Sequence, residues 1–151
     1  MKIISNSVKE TVNLGASLAK FLKPGDIICL EGELGAGKTT LTKGIAEGLG
    51  VSKAEVTSSS FILIRQHLEG RLPLFHFDLY RLKEPGDIAS LGYEEYLYGE
   101  GVSVIEWADK LECLMPKDRL MVELSYGPGK TRVINITAMG ARYKDLLKRI
   151  K

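Results

Sequence analysis

The sequence predicts an α/β fold: one domain over residues 1–151, with a central, mostly parallel sheet, helices on both faces and an antiparallel C-terminal hairpin. Three observations lead there. Ile27-Ile28-Cys29-Leu30 is an unbroken apolar run, which suits a strand buried on both faces of a parallel sheet. A glycine-rich turn from Gly32 to Thr39 follows it and opens a helix. Toward the other end, two strand-like segments, Leu120–Tyr126 and Arg132–Thr137, flank Gly127-Pro128-Gly129-Lys130, which reads as a hairpin turn.

Composition agrees. A chain of 151 residues is one domain in size. It can bury roughly 68–70% of its surface without disulfides or a structural metal. Hydrophobic residues at 44% and charged residues at 26% exclude a disordered chain, a coiled coil and a collagen-like fibre. No stretch approaches the ~18 apolar residues of a membrane span. Met1–Asn6 has no secretory apolar core. Twenty-one basic residues against nineteen acidic give +2, so bulk charge does not argue for direct nucleic-acid binding. Cys29 and Cys113 both sit in apolar surroundings and read as small buried thiols. Paired Cys/His spacing for zinc is absent, and the expected compartment is a reducing cytoplasm.

The elements follow in order. Ser7 and Glu10 form an S-x-x-E capping box. Val8, Val12, Leu18, Ala19 and Leu22 then mark the apolar face of a first helix, which Lys23-Pro24-Gly25-Asp26 ends. Ile27–Glu31 is the buried strand. Thr40–Leu49 is a helix that Gly50 stops. Phe61–Ile64, Leu74–Tyr80 and Val102–Glu106 are the next strands. Tyr143, Leu146, Leu147 and Ile150 give a closing helix, whose interleaved basic residues oppose the negative end of its dipole or face an acidic partner or RNA.

Chemistry concentrates in Gly32-Glu33-Leu34-Gly35-Ala36-Gly37-Lys38-Thr39, which matches G-x-x-x-x-G-K-[ST], the P-loop. Its glycines let backbone N–H groups turn toward phosphate oxygens in conformations that a Cβ forbids. The helix start adds about half a positive charge. Lys38 is expected on the β- and γ-phosphates and the Thr39 hydroxyl on Mg²⁺. A P-loop also needs a carboxylate at the end of a neighbouring apolar strand. Glu106 and Asp78 both qualify, one for the metal and one to position water. Thr57-Ser58-Ser59-Ser60 stands where P-loop proteins often carry a γ-phosphate-sensing loop. The chain lacks the N-K-x-D motif that reads guanine, which favours ATP over GTP. His76 shares a strand face with Asp78 and reads as a packed residue, and His67 as a turn-edge residue.

Leu30 to Thr40, the hydroxyl loop, His76-Phe77-Asp78-Leu79-Tyr80-Arg81 and Ile105-Glu106-Trp107, in this order and spacing, resemble the bacterial TsaE family. The resemblance spans nearly the whole chain. It implies a small ATPase needed to make N6-threonylcarbamoyladenosine in tRNA, working with TsaB and TsaD. The tRNA itself is then an indirect partner. The resemblance also puts Thr39 and Glu106 on Mg²⁺ and makes Asp78 important for hydrolysis. It places Trp107 beside a nucleotide site that runs from Gly32 through Thr40, with Ser7, Val8 and Lys130 at the adenine end. One departure is Ser58-Ser59-Ser60 where the family usually has S-P-T. Two other readings stand beside this one: a small-molecule kinase, although the arginines after the P-loop form no lid-like cluster, and a nucleotide sensor without turnover.

Overall fold

The computed structural model describes residues 1–57 and 63–150. In chain order the elements begin with β1 (Lys2–Ser5), α1 (Val8–Ala19), β2 (Ile27–Gly32) and α2 (Lys38–Leu49). Then come a short 3-10 turn (Lys53–Glu55), β3 (Ile64–His67), β4 (Leu74–Asp78), α3 (Pro85–Ala89), α4 (Tyr93–Leu97) and β5 (Val102–Glu106). A 3-10 segment (Ala108–Leu114), β6 (Arg119–Tyr126), β7 (Arg132–Met139) and α5 (Ala141–Arg149) complete the order.

Among the described residues one seven-stranded sheet runs β1-β7-β6-β2-β5-β4-β3. Its centre, β6-β2-β5-β4, is parallel. The edges are antiparallel: β6 with β7, β7 with β1, and β3 with β4. The α/β class, the parallel centre and the hairpin are as the sequence predicts.

The unbroken apolar run in β2 serves both faces because side chains alternate. Ile28 and Leu30 join one core, with Leu41, Ile45 and Leu49 of α2, Leu18 of α1 and Leu146 of α5. Ile27 and Cys29 join the other, with Ile88 of α3, Leu97 of α4 and Leu111 of the 3-10 segment. Helices therefore cover both faces. No helix among the described residues is long and apolar enough to cross a membrane.

Several local expectations change. Val8 is 72% exposed, not part of the buried face of α1. That face is Thr11, Gly15, Leu18 and Ala19, because α1 packs on α2 through its small residues. A Cβ on Gly15 would lie 2.5 Å from the Leu41 carbonyl oxygen, and one on Gly44 would collide with the Val12 carbonyl. The capping box is shifted as well. Ser7 Oγ accepts from the Glu10 N–H at 3.1 Å, but Glu10 accepts from Asn6 N–H, one residue earlier than the usual pair.

Cys113 is exposed, because the 3-10 segment turns only Ala108 and Leu111 inward. Cys29 is buried, and burial raises its thiol pKa to about 12. The strand expected at Phe61–Ile64 starts at Ile64 and runs on to His67, while Phe61 and Ile62 lie outside the described residues. His67 is thus a buried strand residue rather than a turn-edge one, and among the described residues its Nε2 has no hydrogen-bond partner. Burial lowers its pKa. The next strand stops at Asp78, where the Tyr80 N–H donates to Asp78 Oδ1 at 3.1 Å and turns the chain.

The α1–α2 contact carries a test. Gly44→Ala should destabilise the fold by about 1–3 kcal/mol through overpacking, although alanine favours a helix by about 1 kcal/mol. Urea unfolding measures it. A neutral or stabilising result would mean that the two helices separate freely.

Candidate functional site

The candidate site forms where neighbouring parallel strands end together. Leu30 of β2 and Asp78 of β4 both pair in register with Glu106 of β5. The glycine loop leaves β2 at this level and enters α2 at Lys38. Gly32, Gly35 and Gly37 take φ of 151°, 81° and 109°. The left-handed φ requires glycine at Gly35, whereas a Cβ there would meet only the movable Tyr126 hydroxyl, at 2.6 Å. That hydroxyl donates to the Leu34 carbonyl at 2.6 Å and ties the loop to β6. Arg132 lies over the Tyr126 ring, 4.4 Å from its centre.

Lys38 is only 4% exposed. Its Nζ donates to the Gly32 and Glu33 carbonyls at 2.5 and 2.8 Å and sits 3.9 Å from the centre of the Trp107 ring. Burial lowers its pKa, opposed by the Glu106, Asp109 and Asp78 carboxylates, which favour the charged form. Trp107 follows Glu106 at φ 60°, a left-handed conformation that costs energy in a residue with a side chain. This turn brings the indole over Lys38. The Tyr80 ring also packs against the indole, tilted at 45° with 5.1 Å between centres.

Glu106 is 2% exposed. Its Oε1 accepts the Thr39 hydroxyl at 2.7 Å. Its Oε2 lies 2.5 Å from His76 Nε2. A cavity of about 150 Å³ separates the loop from β5, with Gly35, Gly37, Lys38 and Thr39 on one wall and Glu106 and Trp107 on the other; Leu34 and Thr40 complete it. A second cavity, about 110 Å³, shares Gly35, Gly37 and Thr40 and is bounded by Ser7, Val8, Thr11, Lys130 and Arg132.

Most of the residues singled out in the sequence therefore meet in one cleft. Gly32 and Glu33 contribute carbonyls to Lys38 rather than walls, and Ala36 is buried beneath the loop. Asp78, 5% exposed, stands beside Glu106 on the adjacent strand but is not among the residues lining either cavity. Ser58, Ser59 and Ser60 lie outside the described residues. Arg132, Tyr126 and Thr11 join the cleft without a sequence motif. Their only advance signal is the hairpin turn and capping box that flank them.

The donors suit a magnesium–nucleotide pair. Among the described residues no group of three or more His, Cys, Asp or Glu side chains could cage a metal. Thr39 and Glu106 instead offer a hydroxyl and a carboxylate side by side. Mg²⁺ takes one or two carboxylates and completes its octahedron with water and phosphate oxygens.

Residues 5–140 match the family model described as threonylcarbamoyl adenosine biosynthesis protein TsaE. The chain belongs to the TsaE family. TsaE of Bacillus subtilis, named as a tRNA threonylcarbamoyladenosine biosynthesis protein, is 42% identical, over 94% of this chain and 88% of its own. The TsaE of a Nostoc species is 40% identical over 97% of this chain and 91% of its own. The crystal structure of Bacillus subtilis YdiB superposes with a TM-score of 0.85 at 39% identity, covering 99% of this chain and 93% of that one. Membership agrees with the P-loop at the centre of the cleft.

Trp107, the only tryptophan, reports on this TsaE-family cleft. Moving Lys38 off its ring should change the indole emission. Nucleotide titration should therefore shift Trp107 fluorescence with the midpoint that calorimetry gives. A flat signal through calorimetric saturation would show that the Lys38–Trp107 contact survives ligand binding.

Proposed function

We propose that this protein binds Mg·ATP in the cleft and hydrolyses it slowly by itself. In this reading the ATPase cycle serves the threonylcarbamoyladenosine modification of tRNA, with TsaB and TsaD as its protein partners and tRNA contacted through them. The carrying observation is the convergence of Lys38, Thr39 and Glu106 on one cavity beneath a glycine-rich loop. The names of the family relatives support the tRNA-modification part. The missing guanine-reading motif supports ATP.

The chain's own residues divide the work. Lys38 exchanges the Gly32 and Glu33 carbonyls for phosphate oxygens and offsets their charge. The loop and the start of α2 hold the phosphates in a field that favours anions. Ser7, Val8 and Lys130 border the adenine end, and Trp107 shields the phosphate end from water. Thr39 and Glu106 would hold Mg²⁺, which when bound neutralises charge developing on the phosphates. Asp78, next to Glu106 in the sheet, orients the attacking water.

Release of phosphate from Mg·ATP, with and without TsaB and TsaD, tests the activity. No release in either condition would leave a binding module. Phosphate transfer to a nucleoside or sugar would make the protein a kinase. Lys38→Ala should weaken ATP binding and nearly abolish hydrolysis while leaving the fold intact. ATP at ~100 times its dissociation constant should stabilise the wild type by about 2.7 kcal/mol. The mutant should show no comparable rise in Tm.

The two acids should separate in kinetics. Glu106→Gln should make ATP binding less dependent on Mg²⁺ and slow hydrolysis. Asp78→Asn should keep Mg·ATP affinity within a few-fold while kcat falls about 10²-fold or more, as for an interaction made only in the transition state. Affinity against Mg²⁺ and single-turnover hydrolysis, measured side by side, decide this. The opposite pattern would exchange the two roles.

A further inference from the structure

Glu106 is buried, and both of its carboxylate oxygens are engaged. Thr39 holds Oε1, from the first turn of α2. His76 holds Oε2, from the neighbouring strand β4. The His76 side chain is 1% exposed. It stands opposite Val104 in the parallel register, two residues before Asp78, so His76, Asp78 and Glu106 share one sheet face.

The terminal torsion of a glutamate is broad and roughly two-fold. One hydrogen bond leaves a carboxylate free to swing about that contact, whereas two on opposite oxygens fix its plane. Thr39 cannot be the permanent anchor if its hydroxyl also serves the metal. The remaining anchor is His76. A buried apolar side chain at that position would leave Oε2 of the buried Glu106 without this donor, which is costly for a charged group.

We propose that His76 is a positioning residue: its Nε2–H donates to Glu106 Oε2 and holds the carboxylate so that Oε1 faces Thr39, where Mg²⁺ is taken up. The proposal rests on the Mg·ATP reading above. His76 touches neither nucleotide nor metal in this arrangement. It acts by removing the freedom that Glu106 would otherwise lose on metal binding. Partners of this kind, behind a ligating carboxylate, typically change metal affinity about 10–100-fold when removed.

The test compares wild type, His76→Met, His76→Gln and His76→Asn. A glutamine amide can donate from near the position of the histidine Nε2, the shorter asparagine amide falls short, and methionine donates nothing. ATP affinity is measured by calorimetry in EDTA and across an Mg²⁺ titration, with a thermal melt of each variant. His76→Met and His76→Asn should need about 10–100-fold more Mg²⁺ for the metal-dependent gain in affinity, with EDTA affinity held within a few-fold. His76→Gln should recover most of the loss.

An Mg²⁺ requirement equal in all four proteins overturns the proposal. So does a glutamine variant as impaired as the asparagine one, a comparison that stands even if His76→Met does not fold. A parallel fall in EDTA affinity assigns His76 to general support of the cleft and overturns it as well. A wild type that binds ATP without regard to Mg²⁺ removes the metal reading and this proposal together. A wild type that needs Mg²⁺, beside variants that need it equally, removes only the role of His76.

Discussion

Burying opposite charges in one cleft is the constraint on which the rest of the site depends. Lys38 and Glu106 are 4% and 2% exposed. An ionised group taken out of water costs several kcal/mol unless hydrogen bonds and counter-charges replace its hydration. The surroundings supply those partners from separate parts of the chain. Lys38 has loop carbonyls, an indole face and nearby carboxylates. Glu106 has a hydroxyl from α2 and an imidazole from β4. Each partner must arrive in register, so the fold around the cleft is specified by what the charges need.

The parallel centre of the sheet meets that demand. Parallel strands finish on the same side, and here β2, β5 and β4 finish at one level. The P-loop leaves the first, Glu106 ends the second and Asp78 the third. Away from the sheet, α1 must lie close to α2 for its start to reach the cleft. Gly15 and Gly44 permit that approach, because their missing Cβ atoms leave room for the facing backbone. Val8, at the start of α1, is exposed and borders the second cavity. An apolar side chain that fits the helical pattern thus has its place at the cleft and not in the core.

Local features were legible in the sequence, and long-range ones were not. The P-loop, the buried run in β2, the hairpin and the closing helix each depend on neighbouring residues, so pattern and turn chemistry identify them. The edge strand β1 was missed because it is short and largely exposed, leaving no apolar pattern. The short helices α3 and α4 were missed because five residues show little helical period. His67 resembled a turn residue because its burial comes from β4 pairing beside it, not from its neighbours. The His76–Glu106 contact joins residues thirty apart, and only the β4–β5 register brings them together. Asp78 and Glu106 could both be recognised as strand-end acids, but which one lines the cavity depended on the turn after each strand.

The resting arrangement of Lys38 bears on how the proposed cycle would run. Its ammonium is already desolvated and bonded to two carbonyls of the loop that would cradle the phosphates. Uptake of a nucleotide would then exchange one set of oxygen acceptors for another, rather than strip a hydrated charge. The desolvation cost has been met during folding, which is a form of preorganisation. Phosphate oxygens carry more charge than carbonyls, so the exchange favours a phosphate-bearing ligand and gives a neutral one little to gain. The same exchange would loosen the hold of Lys38 on Gly32 and Glu33, and so on the loop between β2 and α2. Tyr126 and Arg132 of the hairpin also hold that loop, through the Leu34 and Gly35 carbonyls, so those two anchors do not depend on Lys38.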